Sequence, residues 1–127
     1  MKPLHLCQVL GVGVLLVGLY SPSAFAETGD PVAGKGAYEK ACGMCHGMTG
    51  NGDGPTAAML NPKPRNHTDG QYMNTLTDDY LFKVIKEGGA SVGKSSVMPP
   101  WGGQMAEDEI RNMIAYLRTL AVPPYKP

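Results

Sequence analysis

Apolar residues recur at the spacing of a helix face near the end of the chain. They are Ile110, Met113, Ile114 and Leu117. This period predicts a helix over about 107–120, with acidic residues in its first turn and Arg118 near its end, where each charge opposes the helix dipole. Ala106 stands where a Ser or Thr cap is expected, and the missing cap costs about 1 kcal/mol.

A second apolar face belongs to a helix that opens at Thr77, a residue type that caps helices. Its apolar positions are Leu81, Val84 and Ile85. Leu76 stands before the cap and is placed to pack on Leu81, and Gly88-Gly89 ends the helix. Both apolar faces are expected to be buried in one hydrophobic core.

A third helix is predicted by its start signal rather than by an apolar period. Asp30-Pro31 places a capping residue before a proline, which favours a helix start, and the helix is expected to run through Tyr38 to about residue 42. Gly34 and Gly36 weaken this helix in isolation. We therefore expect a close packing partner that needs the room.

The remaining segments, 47–72 and 90–104, are rich in Gly, Pro, Asn and Asp and have no sustained period. A short helical turn is expected around 56–60. No alternating strand pattern and no internal repeat is present, so the fold class predicted is all-α, with three main helices joined by long Gly/Pro-rich loops. Loops this long in a small domain usually have a function or pack against a ligand.

The first residues have the layout of a secretory signal peptide. Lys2 precedes an apolar run over 9–20 that closes on Ala24-Phe25-Ala26. The run is short of the roughly 20 residues of a spanning helix, although an uncleaved anchor stays open. We predict a signal peptide over 1–26, a periplasmic location, and one domain over 27–127 without a membrane span.

Charge excludes one class of partner. Eleven Lys and Arg balance eleven Asp and Glu, and loss of Lys2 with the signal peptide leaves ten against eleven, a formal charge near −1. No basic patch indicates nucleic acid. A domain of this size is marginal for a large hydrophobic core, so something else should help to hold it together.

The chemistry lies in Cys42-Gly43-Met44-Cys45-His46, the attachment pattern of c-type haem. Two thiols one helical turn apart can each add to a porphyrin vinyl group, and the histidine that follows can reach the iron. A thioredoxin-like pair would need a strand before the motif. A zinc site from Cys42, Cys45, His46 and His67 would have unusual ligand spacing. We therefore predict one covalent haem c, a flat apolar group on which sparse helices can pack.

With this motif the chain resembles the class I monohaem cytochrome c family over about 30–121. Gly34 and Tyr38 precede the motif where family members place a glycine and an aromatic that pack against the last helix. The Ile-Ala-Tyr-Leu run near the end matches the family's C-terminal pattern, with Met113 and Tyr116 as counterparts. The resemblance implies a cytochrome c-like fold wrapped around the haem.

His46 is the expected axial ligand, and Met98 is the expected ligand on the other side of the iron. Met98 lies in a loop between two helices, is followed by two prolines that restrict the backbone, and matches the family's methionine-proline motif. His67 is the rival second ligand. A His/Met pair raises the reduction potential relative to two histidines.

The surroundings of the iron can be predicted less closely. In the family a proline carbonyl accepts a hydrogen bond from the axial histidine, so Pro62 and Pro64 are candidates to bind His46. Candidates to bind the haem propionates are Arg65, Tyr72 and Trp101.

The function predicted is that of a periplasmic one-electron carrier between redox partner proteins, as a monomer or as a subunit of a redox complex. No set of residues argues for catalysis, so an enzyme is not expected. Two alternatives stay open. One is a haem sensor or peroxidase-like protein with an open or exchangeable sixth iron position, and the other is an electron-transfer subunit of a larger oxidoreductase.

Overall fold

The computed structural model describes residues 29–127, and its regular structure over that range is helical. The helices are α1 (Pro31–Ala41), α2 (Gly43–His46), α3 (Gly70–Met73), α4 (Asp78–Glu87) and α5 (Glu107–Leu120). Two 3₁₀ turns span Ala57–Met59 and Gly89–Val92. Within 29–127 the one β-type pairing is an isolated bridge. The all-α prediction is confirmed, and the predicted signal peptide lies outside the described residues.

Capping side chains begin the helices where the sequence predicts. The Asp30 carboxylate accepts from the Val32 N–H at 2.8 Å, and the Thr77 hydroxyl accepts from the Tyr80 N–H at 3.1 Å. Ala106 has no side-chain acceptor, but its own N–H donates to the Glu109 carboxylate at 2.9 Å. Half of a capping box therefore replaces the expected cap of α5.

The core centres on the crossing of α1 and α5. Gly34 lies against the α5 backbone, where a Cβ would collide with the Asn112 carbonyl. Around this contact Tyr38 and Ile110 are fully buried and Met113 is 1% exposed. The prediction that a packing partner needs the room is confirmed for Gly34. It is wrong for Gly36, where nothing would lie within 4 Å of a Cβ.

Arg118 of α5 joins this helix pair to the rest of the domain. Its guanidinium donates to the carbonyls of Met73 and Leu76 at 2.8 and 2.6 Å, and to the Asp78 carboxylate at 2.8 and 2.6 Å. These contacts satisfy the backbone of the α3–α4 connection and hold it against α5.

Helix α3 is absent from the predicted elements. Asp69 caps it by accepting from the Tyr72 N–H at 3.2 Å, and it carries Met73, which is 1% exposed, into the core. Four residues are too few to show an apolar period, which is why the pattern misses it. The short turn expected around 56–60 is confirmed. No helix within 29–127 is long and apolar enough to cross a membrane.

Candidate haem site

A cavity of about 710 Å³ lies beside the crossing of α1 and α5. This volume falls in the range of roughly 300–1,000 Å³ that is usual for ligand sites. Its walls come from the five helices, the segment 60–67 and the loop before α5. The four predicted site residues all line it: Cys42, Cys45, His46 and Met98. The fold thus brings residues from opposite ends of the domain to one space.

Helix α2 presents the two thiols and the histidine on a single turn. Cys42 is its N-cap and accepts from the His46 N–H at 2.8 Å, and Gly47 ends it with φ of +79°. Cys42 and Cys45 are half-buried and are not joined by a disulfide. Both sulfurs therefore remain available for bonds to a ligand in the cavity.

The glycine-rich loop after α2 satisfies the free carbonyl groups at the end of this helix. The Gly52 N–H donates to the His46 carbonyl at 2.7 Å, and the Gly54 N–H donates to the Cys45 carbonyl at 3.2 Å. Thr56 donates to the Met44 carbonyl from its N–H at 3.1 Å and from its hydroxyl at 2.8 Å. The loop holds the attachment turn in place chiefly through its backbone.

The ring of His46 is oriented for a metal on Nε2. Its Nδ1 lies 2.9 Å from the Arg65 carbonyl, and because a carbonyl can only accept, Nδ1 carries the proton and Nε2 keeps its lone pair. Burial lowers the pKa of His46, while the Arg65 carbonyl raises it. The prediction that the Pro62 or Pro64 carbonyl accepts this bond is wrong. The acceptor is the Arg65 carbonyl, and the Pro64 carbonyl lies against Gly52.

His67 does not sit opposite His46. The two rings stack face to face with centroids 4.3 Å apart and planes 16° apart, which leaves no space for an iron between them. His67 is 9% exposed, and burial first, then the charges of His46 and Arg65, lowers its pKa to about 3. This geometry does not suit a ligand on the far side of the iron. The sequence contains no signal for this stack.

Met98 is carried by a loop that is tied to the end of α4. The Gly89 N–H donates to the Met98 carbonyl at 3.0 Å, and the Trp101 N–H donates to the Ile85 carbonyl at 3.0 Å. A further bond joins the Gly102 N–H to a carbonyl of the same helix end. Because the bonds from Trp101 and Gly102 use free carbonyls of α4, the helix end determines where Met98 stands.

Two other methionines line the cavity. Met113 is 1% exposed, and its sulfur lies 3.5 Å from the Cys42 sulfur, on the attachment side. Met73 is also 1% exposed and belongs to the core cluster. Met98, by contrast, is half-buried on a loop. Of the three, it has the environment that best suits a ligand reaching into the cavity.

The lining has the chemistry that a haem requires. It is mainly apolar, and its charged members are Lys63, Arg65 and Lys94, with no carboxylate among the described lining residues. A haem is apolar over its face and carries two propionates, so cations at the wall complement it. The Arg65 guanidinium stacks over the Tyr72 ring at 3.9 Å, and Trp101 also lines the cavity. The residues present fit the group.

The two other interpretations of the cysteine pair fit poorly. Burial, with a smaller contribution from Cys45, raises the pKa of the Cys42 thiol to about 12, whereas a thiol–disulfide enzyme needs it lowered. Among residues 29–127 no group of three or more His, Cys, Asp or Glu side chains is placed to hold a metal ion. Neither redox thiol chemistry nor a structural zinc site is supported.

The sequence around this cavity is similar to that of known proteins. The family described as cytochrome c oxidase, cbb3-type, subunit III matches residues 29–117. Cytochrome c-554(547) of Halothiobacillus neapolitanus is 32% identical over 97 residues, which are 72% of this chain and 98% of that protein.

Two solved structures share the fold. A Kuenenia stuttgartiensis reducing HAO-like protein complex, Kustc0457/Kustc0458, matches with a TM-score of 0.62 and 29% identity over 75% of this chain and 45% of that chain. Cytochrome cL of Methylophaga aminisulfidivorans matches with a TM-score of 0.54 and 26% identity over 72% of this chain and 53% of that chain. The chain thus spans about half the length of each structural relative.

Proposed function

Because the chain belongs to the c-type cytochromes, in the family described as cbb3-type cytochrome c oxidase subunit III, and binds one haem c covalently, we propose that it is a one-electron carrier. In this proposal Cys42 and Cys45 hold the haem, and His46 and Met98 are the two axial ligands. The observation that carries the proposal is that these four residues line one cavity.

Each residue has a distinct part in the proposal. The thiols of Cys42 and Cys45 add to the two vinyl groups, and His46 offers its Nε2 because Nδ1 is bonded to the Arg65 carbonyl. Met98 offers a neutral thioether that stabilises ferrous iron more than imidazole does. The haem supplies a one-electron iron couple when bound. In this arrangement the cations of the lining, Lys63, Arg65 and Lys94, would complement the charge of the propionates.

A pair of protein ligands argues for a carrier rather than an enzyme. When His46 and Met98 both bind the iron, no coordination position stays open for a peroxide or a gas. The ligands are also positioned before the haem changes charge, because the His46 ring is hydrogen-bonded at one edge to the Arg65 carbonyl and the Met98 loop is bonded to the end of α4. Such preorganisation favours electron transfer, in which the surroundings of the iron change little.

The ligand set is tested by the visible spectra of the exported haem protein, oxidised and reduced. We expect the weak sulfur-to-iron band near the red end in the ferric protein, and its loss in Met98→Leu, which keeps the side-chain volume. Met59→Leu is the control, since Met59 is 79% exposed and does not line the cavity. A band that survives in Met98→Leu would exclude Met98. High-spin iron in the wild type would favour the sensor or peroxidase-like alternative, whereas bis-histidine iron would favour low-potential electron transfer.

We also propose that residues 1–26 direct export to the periplasm and are removed, leaving a domain that starts at Glu27. The layout of charged, apolar and small residues in the sequence supports this. The test is the amino-terminal sequence of the haem protein from a periplasmic fraction. An intact Met1 on the mature haem protein would overturn the cleavage.

Redox partner proteins are the proposed partners. The matching family is described as an oxidase subunit, and the Kuenenia relative is part of a protein complex, so a tightly bound partner is one expected outcome. Size-exclusion chromatography of the haem protein from its native source distinguishes a free carrier from a subunit. Elution as a monomer supports the free carrier, and stable co-elution with another redox protein supports the subunit.

A further inference from the structure

His67 makes contacts that the proposed ligand set leaves unexplained. It is 9% exposed, lines the cavity, and is the one polar or charged side chain in the buried class within 29–127. A buried polar ring in a small core costs free energy unless its polar atoms are bonded. Its contacts therefore indicate what it does.

A hydrogen bond holds the His67 ring at its Nδ1 atom. Its Nδ1 lies 3.2 Å from the Tyr38 hydroxyl, and that hydroxyl lies 3.1 Å from the Gly47 carbonyl. Since the carbonyl can only accept, the hydroxyl donates to Gly47 and accepts from Nδ1–H of His67. Tyr38 is fully buried against α5, so this bond ties His67 to the rigid part of the core.

A backbone hydrogen bond also holds the main chain of His67 in place. The His67 N–H donates to the Gly50 carbonyl at 2.6 Å, within the loop that also caps α2. The Gly50 φ is +82°, a left-handed value that glycine adopts without strain. A Cβ at Gly50 would also lie 3.3 Å from the Cβ of His67. The histidine ring is thus anchored at its main chain and at its Nδ1.

The face of the anchored ring lies on His46. With a separation of 4.3 Å and an angle of 16°, the stack covers one face of the proposed axial ligand. The hydrogen bond to Arg65 holds only one edge of the His46 ring, and a ring held at one edge can still rock about that bond. A flat partner against its face removes this freedom.

We propose that His67 is a positioning residue for the axial histidine: its ring, anchored through Tyr38, sets the plane of the His46 imidazole above the haem. This inference rests on the proposed function, because it requires His46 on the iron. It adds that the His67 side chain, together with the backbone carbonyl of Arg65, determines the rotation of the His46 ring about the iron–nitrogen bond.

The orientation has a measurable consequence. The plane of an axial imidazole determines which iron d orbitals overlap its π system, and hence the magnetic axes of low-spin ferric haem. Those axes set the electron paramagnetic resonance g-values and the paramagnetic shifts of the four haem methyl groups in proton NMR. Loss of packing elsewhere in the domain would lower stability without rotating these axes.

The test compares the full-length haem protein with His67→Leu and His67→Phe. Leucine removes the flat partner, so we expect a shifted or broadened set of g-values and a changed order of haem methyl shifts. Phenylalanine restores a flat ring but lacks the bond to Tyr38, so it should return the order of the methyl shifts only part of the way to that of the wild type and leave the g-values broadened. Tyr116→Phe is the control, since Tyr116 packs on Tyr38 at 5.3 Å and has no ring contact with His67.

The outcomes separate the inference from the proposed function. Wild-type g-values and methyl shifts in His67→Leu, with the sulfur-to-iron band intact, would overturn the positioning role and leave the His46/Met98 carrier standing. Absence of that band in the wild type would instead overturn the carrier. Should His67→Leu fail to retain haem, Tyr38→Phe gives the same measurement. It keeps the stacked ring, loses its anchor, and should broaden the g-values, whereas unchanged spectra would overturn the anchoring.

Discussion

The crossing of α1 and α5 and the loop over 47–69 are stabilised in different ways. In the crossing Tyr38 and Ile110 are fully buried and pack on the partner helix. In the loop Met48 and Met59 are 54% and 79% exposed, and the buried residues other than glycine are Ala57 and His67. The helix crossing has its own hydrophobic core, whereas the loop has almost none.

The loop is held instead by its backbone and by what fills the cavity. Its N–H groups bond to the carbonyls of α2, and Pro62, Arg65 and His67 face the cavity. A segment whose one buried apolar side chain is that of Ala57 gains little from the hydrophobic effect. The helices thus have a hydrophobic core of their own, and we expect the loop to depend on its backbone hydrogen bonds and on the haem in the cavity.

The largest expected effect is on the loop when the haem cannot attach. Cys42→Ala combined with Cys45→Ala should give a colourless, poorly folded protein. Amide hydrogen exchange should lose all protection in 47–69, while α1 and α5 keep a residual part, because only the helix pair packs on itself. Equal loss in both regions would contradict the comparison, and normal colour and folding would exclude covalent attachment through these thiols.

The next largest effect tests the crossing. Gly34→Val should lower the free energy of unfolding of the haem protein by about 3 kcal/mol, since the new side chain meets the Asn112 backbone, which cannot rotate away. Gly36→Ala is the matched control in the same helix. Nothing lies within 4 Å of its Cβ, so alanine should raise the free energy of unfolding by about 0.5–1 kcal/mol.

Denaturant unfolding of the haem protein measures both variants. A Gly34→Val protein as stable as the wild type would mean that the helices separate without cost, and that the crossing is not the rigid region. A loss of stability in Gly36→Ala would mean that α1 is sensitive to any added side chain, not to the contact with α5.

A smaller effect is expected where the α3–α4 connection is joined to the crossing, through Arg118 of α5. Arg118→Ala removes the donors to the Met73 and Leu76 carbonyls, and should cost about 2 kcal/mol, since bonds from a charged donor contribute roughly 1.5–3 kcal/mol. Arg118→Lys keeps the charge but lacks the planar fork, so it should restore only part of the loss. Full rescue by lysine in denaturant unfolding would show that charge alone matters.

The same division explains what the sequence could predict. The three long helices carry local sequence signals: Asp30 and Thr77 cap α1 and α4, and the apolar period from Ile110 to Leu117 gives α5 a buried face. Such signals depend on neighbours within one turn. The cysteine motif is local as well. The covalent haem c that this motif predicts is confirmed by the family to which the chain belongs.

The cavity wall depends on contacts between distant residues, and there the sequence fails. Which carbonyl meets His46 depends on the path of the loop, and Arg65 does so where Pro62 or Pro64 was expected. The stack of His67 on His46 has no periodic or spacing signal. The assignment of Met98 to the iron stays a prediction, because the cavity shows its place and not its bond.

The smallest effect concerns an ion pair that links α4, at the cavity wall, to α5. Lys86 Nζ lies 2.6 Å from the Glu107 carboxylate, with side chains 40% and 56% exposed. The hydrogen bond and the charge of Lys86 lower the pKa of Glu107 below its ordinary value of 4.5. A carboxylate whose pKa is lower in the folded protein contributes stability above its unfolded pKa and loses it as pH falls through the folded value.

Thermal unfolding of Lys86→Gln, Glu107→Gln and the double variant, from neutral pH to about pH 3, isolates this contribution. The coupling between the two positions should be small at neutral pH, shrink as pH falls through and below 4.5, and weaken in high salt because the pair is exposed. A coupling that does not change with pH would assign the contact to packing of the side-chain stems. A coupling larger than the effect of Arg118→Ala would move the principal connection between α5 and the α3–α4 segment from the Arg118 guanidinium to this surface pair.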